Sequence, residues 1–411
     1  MTAIHACRGC GSPQLKQFLD LGPTPLADAL VSEEVVFDPG LEERFPLAVA
    51  FCPTCALVQT TEDIAPEKLF VDNYLYFSSF SDHLLRHSRD HALGLIESRC
   101  LTSESLVVEL ASNDGYLLKN FVDAGIPVIG FDPAPDQAEA ANAIGVPTRA
   151  EFFGRDVAET LRAESKSADV IIANNVMAHI PEPNDFVAGM AALLAPSGLI
   201  TVENPSVWDL VDRRAFDTIY HEHFFYHSCI SVRNLVERHG LHLNHVEYFG
   251  DLHGGTNRWH IGHDDSPSEQ VLERLAAERT AGLDTFEFYA DFGEKVDRLR
   301  SDLLAVLRAL KAEGKTIAAY GAAAKGATML NATGIGTDLV DYVVDRNVHK
   351  HGRFMPGTHQ PIVSPAVLVE TPPDVLLLLA WNFATEIMNQ QTEFASHGGR
   401  FLVPVPTPEL I

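Results

Sequence analysis

The sequence predicts an α/β protein in three parts, and three observations carry the prediction. Two C-x-x-C pairs near the start, Cys7 with Cys10 and Cys52 with Cys55, mark a small metal-binding module. Strand-like and helix-like stretches alternate over residues 106–203, and a second alternation begins near residue 316 after a helical stretch. These boundaries give a zinc-binding module at 1–70, a first Rossmann-like domain at 71–265, and a helical connector with a second Rossmann-like domain at 266–411. With 411 residues, each part is long enough for its own core.

The cysteines come first in the chain. Two thiolate pairs on tight turns have the spacing of a closed tetrahedral zinc site, and Gly9, Gly11 and Pro53 supply the turn residues. Disulfides are the competing reading, disfavoured in a reducing compartment, and a thioredoxin-like motif would need only one pair. With four protein ligands no coordination position stays open, so the metal is expected to be structural. Cys100 and Cys229 fall outside the pattern.

The formal net charge of -26 excludes a sequence-independent grip on nucleic acid, which needs basic faces that release counterions. A solvated acidic surface is the simpler reading. No stretch approaches the ~20 apolar residues of a membrane span. The opening Met1–Ala6 lacks a basic region followed by an apolar core, so the expected location is the cytoplasm and the expected state a monomer or weak oligomer.

In the central alternation, strands are predicted at 106–110, 128–131, 170–173 and 199–203, with helices at 116–124, 135–143 and 183–194. Ligands of such a sheet sit at the carboxyl ends of its strands. The first strand ends in Glu109-Leu110-Ala111-Ser112-Asn113-Asp114-Gly115, and no G-x-G-x-x-G follows it. A dinucleotide pyrophosphate would lack its glycine seat, which favours S-adenosylmethionine over NAD and makes this a class I methyltransferase domain. Gly115 would let the backbone approach the methionine part, Glu109 or Asp114 would receive its ammonium group, and Asp132 would take the ribose hydroxyls. Asn174 and Asn175 either frame the adenine or the transfer channel, or merely cap the next segment.

Downstream, Tyr220-His221-Glu222-His223 puts a phenol, a carboxylate and two imidazoles in four consecutive residues. In a strand, Tyr220 and Glu222 would share one face; in a turn, Glu222 and His223 could both reach a pocket. The run lacks the i, i+4 spacing of a zinc-binding H-E-x-x-H. A histidine near its ordinary pKa suits proton abstraction beside a carbonyl, with a phenol or acid to support the enolate oxygen. Carbon methylation needs that proton removed first. Tyr74–Ser79 either brings hydroxyls to the donor or acceptor, or packs in a core.

Residues 267–313 have helical spacing. A strand at 316–320 then runs into Gly321-Ala322-Ala323-Ala324-Lys325-Gly326, a turn of small residues and one Lys that suits a phosphate. Further strands are predicted at 340–344, ending at Asp345, and at 375–379. A nucleotide fold reduced to a lid is the alternative for this part.

Together these pieces resemble the sugar C-methyltransferases of antibiotic deoxysugar biosynthesis, which build 3-C- or 5-C-methylated hexoses from nucleotide-linked 4-ketosugars. The resemblance spans nearly the whole chain. It is carried by the paired C-x-x-C, the Glu109–Gly115 turn, Tyr74–Ser79, Glu203-Asn204-Pro205, Tyr220–His223, Gly254-Gly255 and the Tyr320–Gly326 turn. It implies zinc, S-adenosylmethionine and a dTDP-4-keto-deoxysugar held between the second and third parts. By the same analogy His223 is the base, and Glu222, Tyr220 and Tyr76 surround the sugar. Lys325 at the Gly321 turn faces the pyrophosphate, and Asn204 and His179 join the substrate site. The chain departs at Thr256-Asn257-Arg258, where relatives tend to have Ser-Leu-Arg, which bears on sugar identity more than on reaction type. The competing functions are methylation of oxygen or nitrogen on a sugar nucleotide, and a non-catalytic zinc protein that binds the methyl donor.

Overall fold

The computed structural model describes residues 2–70, 77–164, 166–252 and 254–411. Among them the strands form four sheets. The central sheet has seven strands in the order His242–Phe249, Thr256–Gly262, Leu194–Pro205, Ala168–Asn174, Val107–Leu110, Val128–Phe131, Thr148–Arg149. Its last five strands pair in parallel, and the hairpin formed by the first two joins antiparallel to Leu194–Pro205. Fully buried runs such as Val107–Leu110 explain why the parallel strands read as continuous apolar stretches.

Val128–Phe131 and Pro135–Ala143 fall where the pattern put them. The helix expected at 116–124 is shorter, Lys119–Asp123. Its lead-in closes through bonds three residues back, Asn120 to Leu117 and Phe121 to Leu118, so residues 116–118 form turns. The strand expected at 199–203 runs from Leu194 to Pro205, with an irregularity between Leu194 and Leu199.

A second parallel sheet follows the helices Glu269–Ala281 and Phe292–Ala312. Its order is Ile362–Val363, Val343–Val344, Ile317–Tyr320, Val375–Leu378, Arg400–Val403, Glu409–Leu410, and only the last pair is antiparallel. The strand expected at 340–344 shrinks to Val343–Val344. The N-terminal segment forms an antiparallel sheet of Lys16–Thr24, Phe45–Phe51 and Val58–Thr60. Its fourth strand, Phe225–Tyr226, comes from immediately after the Tyr220–His223 run. That strand ties the run to the cysteine-bearing module. Among the described residues no helix is long and apolar enough to cross a membrane.

Candidate active site and metal centre

The four cysteines converge. Their sulfurs all lie within 4.8 Å of one another, with Cys7 to Cys55 at 3.6 Å and Cys10 to Cys52 at 3.5 Å. A tetrahedron of thiolates around zinc has an edge of about 3.8 Å, so the cluster is a four-thiolate zinc site. Each knuckle ends on a left-handed residue after its second cysteine, Gly11 and Ala56. The buried Gln59 amide donates to Cys7 Sγ at 3.1 Å and its oxygen accepts from Arg8 N–H. This orients a ligand from behind.

A cavity of about 330 Å³ opens at the carboxyl ends of the central strands. Its wall includes Asn113, Asp132, Asn174, Asn175, His179, Asn204, Tyr220, His223 and Lys325. The Val107–Leu110 strand delivers the turn that forms one side. Ala111, Asn113 and Gly115 are left-handed there, and a Cβ on Gly115 would meet Val146 and Ala141 at 3.1–3.2 Å. Glycine is required at 115 by its φ and by inward packing, not by closeness to the cavity. Asp132 locks the turn: Oδ2 accepts from Asn113 N–H and Oδ1 from Ala134 N–H, both at 2.9 Å. Ser78 and Ser79 dock on the same turn through the Asn113 and Asp114 side chains.

Glu109, Ser112 and Asp114 are buried beneath this surface. Burial, then the charges of Asp132 and Asp114, pushes Glu109 well above the usual carboxylate range; burial lifts Asp132 to about 6. Among the described residues, Glu109 Oε2 and Asp114 Oδ1 have no hydrogen-bond partner. A cluster of acids that oppose one another's ionisation suits a cationic ligand.

Tyr220–His223 is a turn, closed by His223 N–H donating to Tyr220 C=O at 3.0 Å. The four side chains therefore diverge. Tyr220 and His223 face the cavity with their rings 4.0 Å apart. His223 Nδ1 lies 2.9 Å from the Thr218 carbonyl, which can only accept, so Nδ1 carries the hydrogen. Nε2 then presents a lone pair to the Tyr220 hydroxyl at 2.8 Å. His179 stands 4.6 Å away, ring to ring, and burial lowers it to about 4, which keeps it neutral. His221 turns away to the Pro46 carbonyl and the Phe45 ring. Glu222 is buried, accepts from Asp28 N–H at 3.2 Å, and does not line the cavity.

Lys325 lies on the far wall, but its charge is already answered. Nζ donates to Asn382 Oδ1 at 3.0 Å, sits 3.9 Å from buried Asp217, and lies 4.2 Å above the Trp381 ring. Trp381 Nε1 in turn donates to Asp217 at 2.7 Å. Gly321 is left-handed and packs on Ala380, leaving Ala323 and Ala324 as the turn residues on the wall. Tyr76, with residues 74 and 75 of the Tyr74–Ser79 segment, lies outside the described residues. Sequence reasoning missed Asp28, Asp217, Lys350 and Asn382, since each acquires its meaning only from partners more than 20 residues away.

Against known proteins, the chain is 38% identical over 413 residues to the C-methyltransferase NovU of Streptomyces niveus, covering 99% of this chain and 97% of that one. The chain belongs to the C-methyltransferase family. Family models match this C-methyltransferase along most of its length: "Putative zinc binding domain" at residues 7–70, "Methyltransferase domain" at 83–246 and "C-methyltransferase C-terminal domain" at 251–406. An uncharacterized methyltransferase of Mycobacterium leprae is 29% identical over 103 residues, 25% of this chain and 38% of that protein. The solved magnesium protoporphyrin IX methyltransferase (ChlM) of Synechocystis PCC 6803 with bound SAM shows a slight likeness, 12% identity and a TM-score of 0.34. It covers 44% of this chain and 79% of its own.

Proposed function

We propose that this C-methyltransferase uses S-adenosylmethionine to methylate C3, beside the ketone, of a dTDP-linked 4-keto-deoxysugar in antibiotic sugar biosynthesis. The observation that carries the reading is the Tyr220–His223 pair, hydrogen-bonded at 2.8 Å on the wall of the cavity that the Glu109–Gly115 turn also borders. S-adenosylmethionine, when bound, supplies a methyl group made electrophilic by its sulfonium. Its ribose suits Asp132, which lines the cavity and whose oxygens each retain a lone pair, and its positive charge would favour the ionised form of Glu109, buried behind the same turn.

The residues on the opposite side handle the sugar. His223 Nε2 is the lone-pair nitrogen of a neutral imidazole, held in that tautomer by Thr218. The proton of the carbon beside the ketone ends on this nitrogen, and the C–H electron pair becomes the enolate. The Tyr220 hydroxyl, released from Nε2 as it is protonated, is then a donor for the enolate oxygen. Neutral His179 and Asn204 complete the polar wall, and Ala323, Ala324 and Lys325 border the region open to the nucleotide part. Tyr76 is assigned to the sugar on the resemblance.

Incubation with a panel of dTDP-4-ketohexoses in deuterated water without donor tests this directly. Wild type is expected to exchange the hydrogen beside the ketone, and His223→Asn to lose about 10²–10⁴-fold in exchange and turnover. A product carrying its new mass on oxygen or nitrogen, with no exchange, overturns the reading.

A further inference from the structure

We propose that Asp217 is a positioning residue of the methyl-transfer site, clasped at the switch point of the second Rossmann-like sheet so that its turn presents the Thr218 carbonyl to His223. The inference rests on the base assignment above.

In the second sheet Ile317–Tyr320 lies between Val343–Val344 and Val375–Leu378, all three parallel. The chain leaves Ile317–Tyr320 toward one edge and returns on its other side, so strand order reverses between Ile317–Tyr320 and Val375–Leu378. Doubly wound sheets hold their ligands in the crevice outside the carboxyl ends of such a pair. Here a side chain from the segment matched as a methyltransferase domain enters it. Lys325, on the helix after the first strand, and Trp381, in the turn after the second, both close on Asp217, which is fully buried. Trp381 Nε1 donates to Asp217 Oδ2 at 2.7 Å, and Lys325 Nζ stands 3.9 Å from the same oxygen. The clasp is itself pinned. Lys325 donates to Asn382 and lies over the Trp381 ring, which packs so closely on Gly254 that a Cβ there would sit 3.1 Å from it.

The consequence falls one residue on. Asp217 is the middle residue of the single turn Phe216–Thr218, closed by Thr218 N–H to Ala215 C=O at 3.1 Å and by Ile219 N–H to Phe216 C=O at 3.0 Å. The Thr218 hydroxyl donates to the same Ala215 carbonyl at 2.7 Å. So short a turn has little rigidity of its own, and whatever fixes Asp217 fixes the direction of the Thr218 carbonyl. That carbonyl accepts from His223 Nδ1 at 2.9 Å, which leaves on Nε2 the lone pair that faces Tyr220. Contacts therefore run without a break from the second sheet to the reacting nitrogen, through Trp381, Asp217, Thr218 and His223. Were the carbonyl to turn away, the hydrogen would be free to move to Nε2 and the base would be lost.

Trp381→Phe keeps the ring and removes only the indole N–H; Asp217→Ala removes its acceptor, and Asp217→Asn restores an oxygen for it. In nitrogen NMR of the full chain, the imidazole signals that vanish in His223→Asn should show a single tautomer in wild type, with the hydrogen on Nδ1. In Trp381→Phe and Asp217→Ala they should move toward the averaged mixture of both tautomers, with Asp217→Asn nearer wild type. In the two disrupting variants kcat and donor-free hydrogen exchange should fall together by about tenfold, while KM for the methyl donor holds. The double variant should lose no more than the worse single one, because both break one contact. If the His223 signals and kcat stay as in wild type while the variants only melt earlier, Asp217 is a structural contact and the proposal fails. It fails also if KM for the sugar nucleotide rises at unchanged kcat, which would make the clasp a substrate contact. A product methylated on oxygen or nitrogen would sink the carbon-methylation reading instead, and the NMR comparison, which needs no substrate, still decides whether Asp217 sets the His223 tautomer.

Discussion

Glu203 shows how a residue noticed for one reason acts for another. The sequence presents it in Glu203-Asn204-Pro205, a segment shared with sugar C-methyltransferases, and presents Arg258 as the end of a divergent stretch. In the structure they face each other across antiparallel strands, Arg258 Nε to Glu203 Oε1 at 2.6 Å, with His87 at 3.0 Å from the same carboxylate. Burial alone would raise Glu203, but His87, Arg258 and His91 outweigh it and hold the carboxylate at about 2. Asn204, one residue on, is turned by strand alternation to the opposite face and so to the cavity wall. Arg258→Ala should cost about 3–5 kcal/mol, because it strands a buried charge. Glu203→Ala with Arg258→Ala should cost less than either single change; chemical denaturation of the three variants checks this, and simple additivity would refute the coupling. At the same scale, Tyr220→Phe removes the hydroxyl that meets His223 Nε2 while keeping the ring. On the proposed mechanism the hydroxyl supports the enolate in both reactions, so donor-free exchange and methyl transfer should fall together, by about 10²-fold, and loss of transfer with exchange intact would refute that role.

Elements were legible where they carried their own pattern. The parallel strands announced themselves as buried apolar runs, and the cysteines converged as their spacing required. The Tyr220–His223 run was legible as chemistry but not as geometry. Alternation could not choose between strand and turn, and the choice is made by partners far away in the chain. Thr60 N–H donates to the Phe224 carbonyl at 2.9 Å, His221 reaches Pro46, and Phe225–Tyr226 pairs with Val58–Gln59. The sheet of the cysteine-bearing module is thus the frame on which the Tyr220–His223 turn is stretched. Metal removal should then do more than destabilise residues 7–55. A chelated chain, or Cys52→Ser, is expected to keep donor binding at the central sheet while losing turnover, because Tyr220 and His223 lose their register. Zinc content, donor affinity by calorimetry and turnover measured on one preparation separate the outcomes. Full activity in zinc-free protein would refute the link.

Across the whole molecule, the groups most displaced from ordinary ionisation fall into two sets with opposite pH signatures. His91 sits at about 3, and His179 and His227 at about 4, each lowered chiefly by burial. An unfolded chain takes up these protons below about pH 6.5, so stability falls as pH drops from there toward 4, by about 1.4 kcal/mol per pH unit for each imidazole. Glu203 adds to the loss below about pH 4.5, since its folded value is the lower one. The acids at and behind the cavity wall act in reverse. Glu222 at about 8, Asp132 at about 6 and the strongly raised Glu109 keep protons that the unfolded chain has released. Their contribution is whole below the unfolded carboxylate range and is lost as pH rises through the folded values. Between about pH 4.5 and 6 the three histidines and the three acids oppose one another, so the melting temperature should stay nearly level there, be highest at about pH 6.5, and fall both below about pH 4.5 and above about pH 6.5, where Glu222 and Glu109 act unopposed. A cationic donor bound at the Glu109–Asp132 turn lets those acids ionise, so the melting shift produced by S-adenosylmethionine should grow as pH rises from 6 to 8. A ligand shift that is constant over that range would place the donor's charge away from these carboxylates.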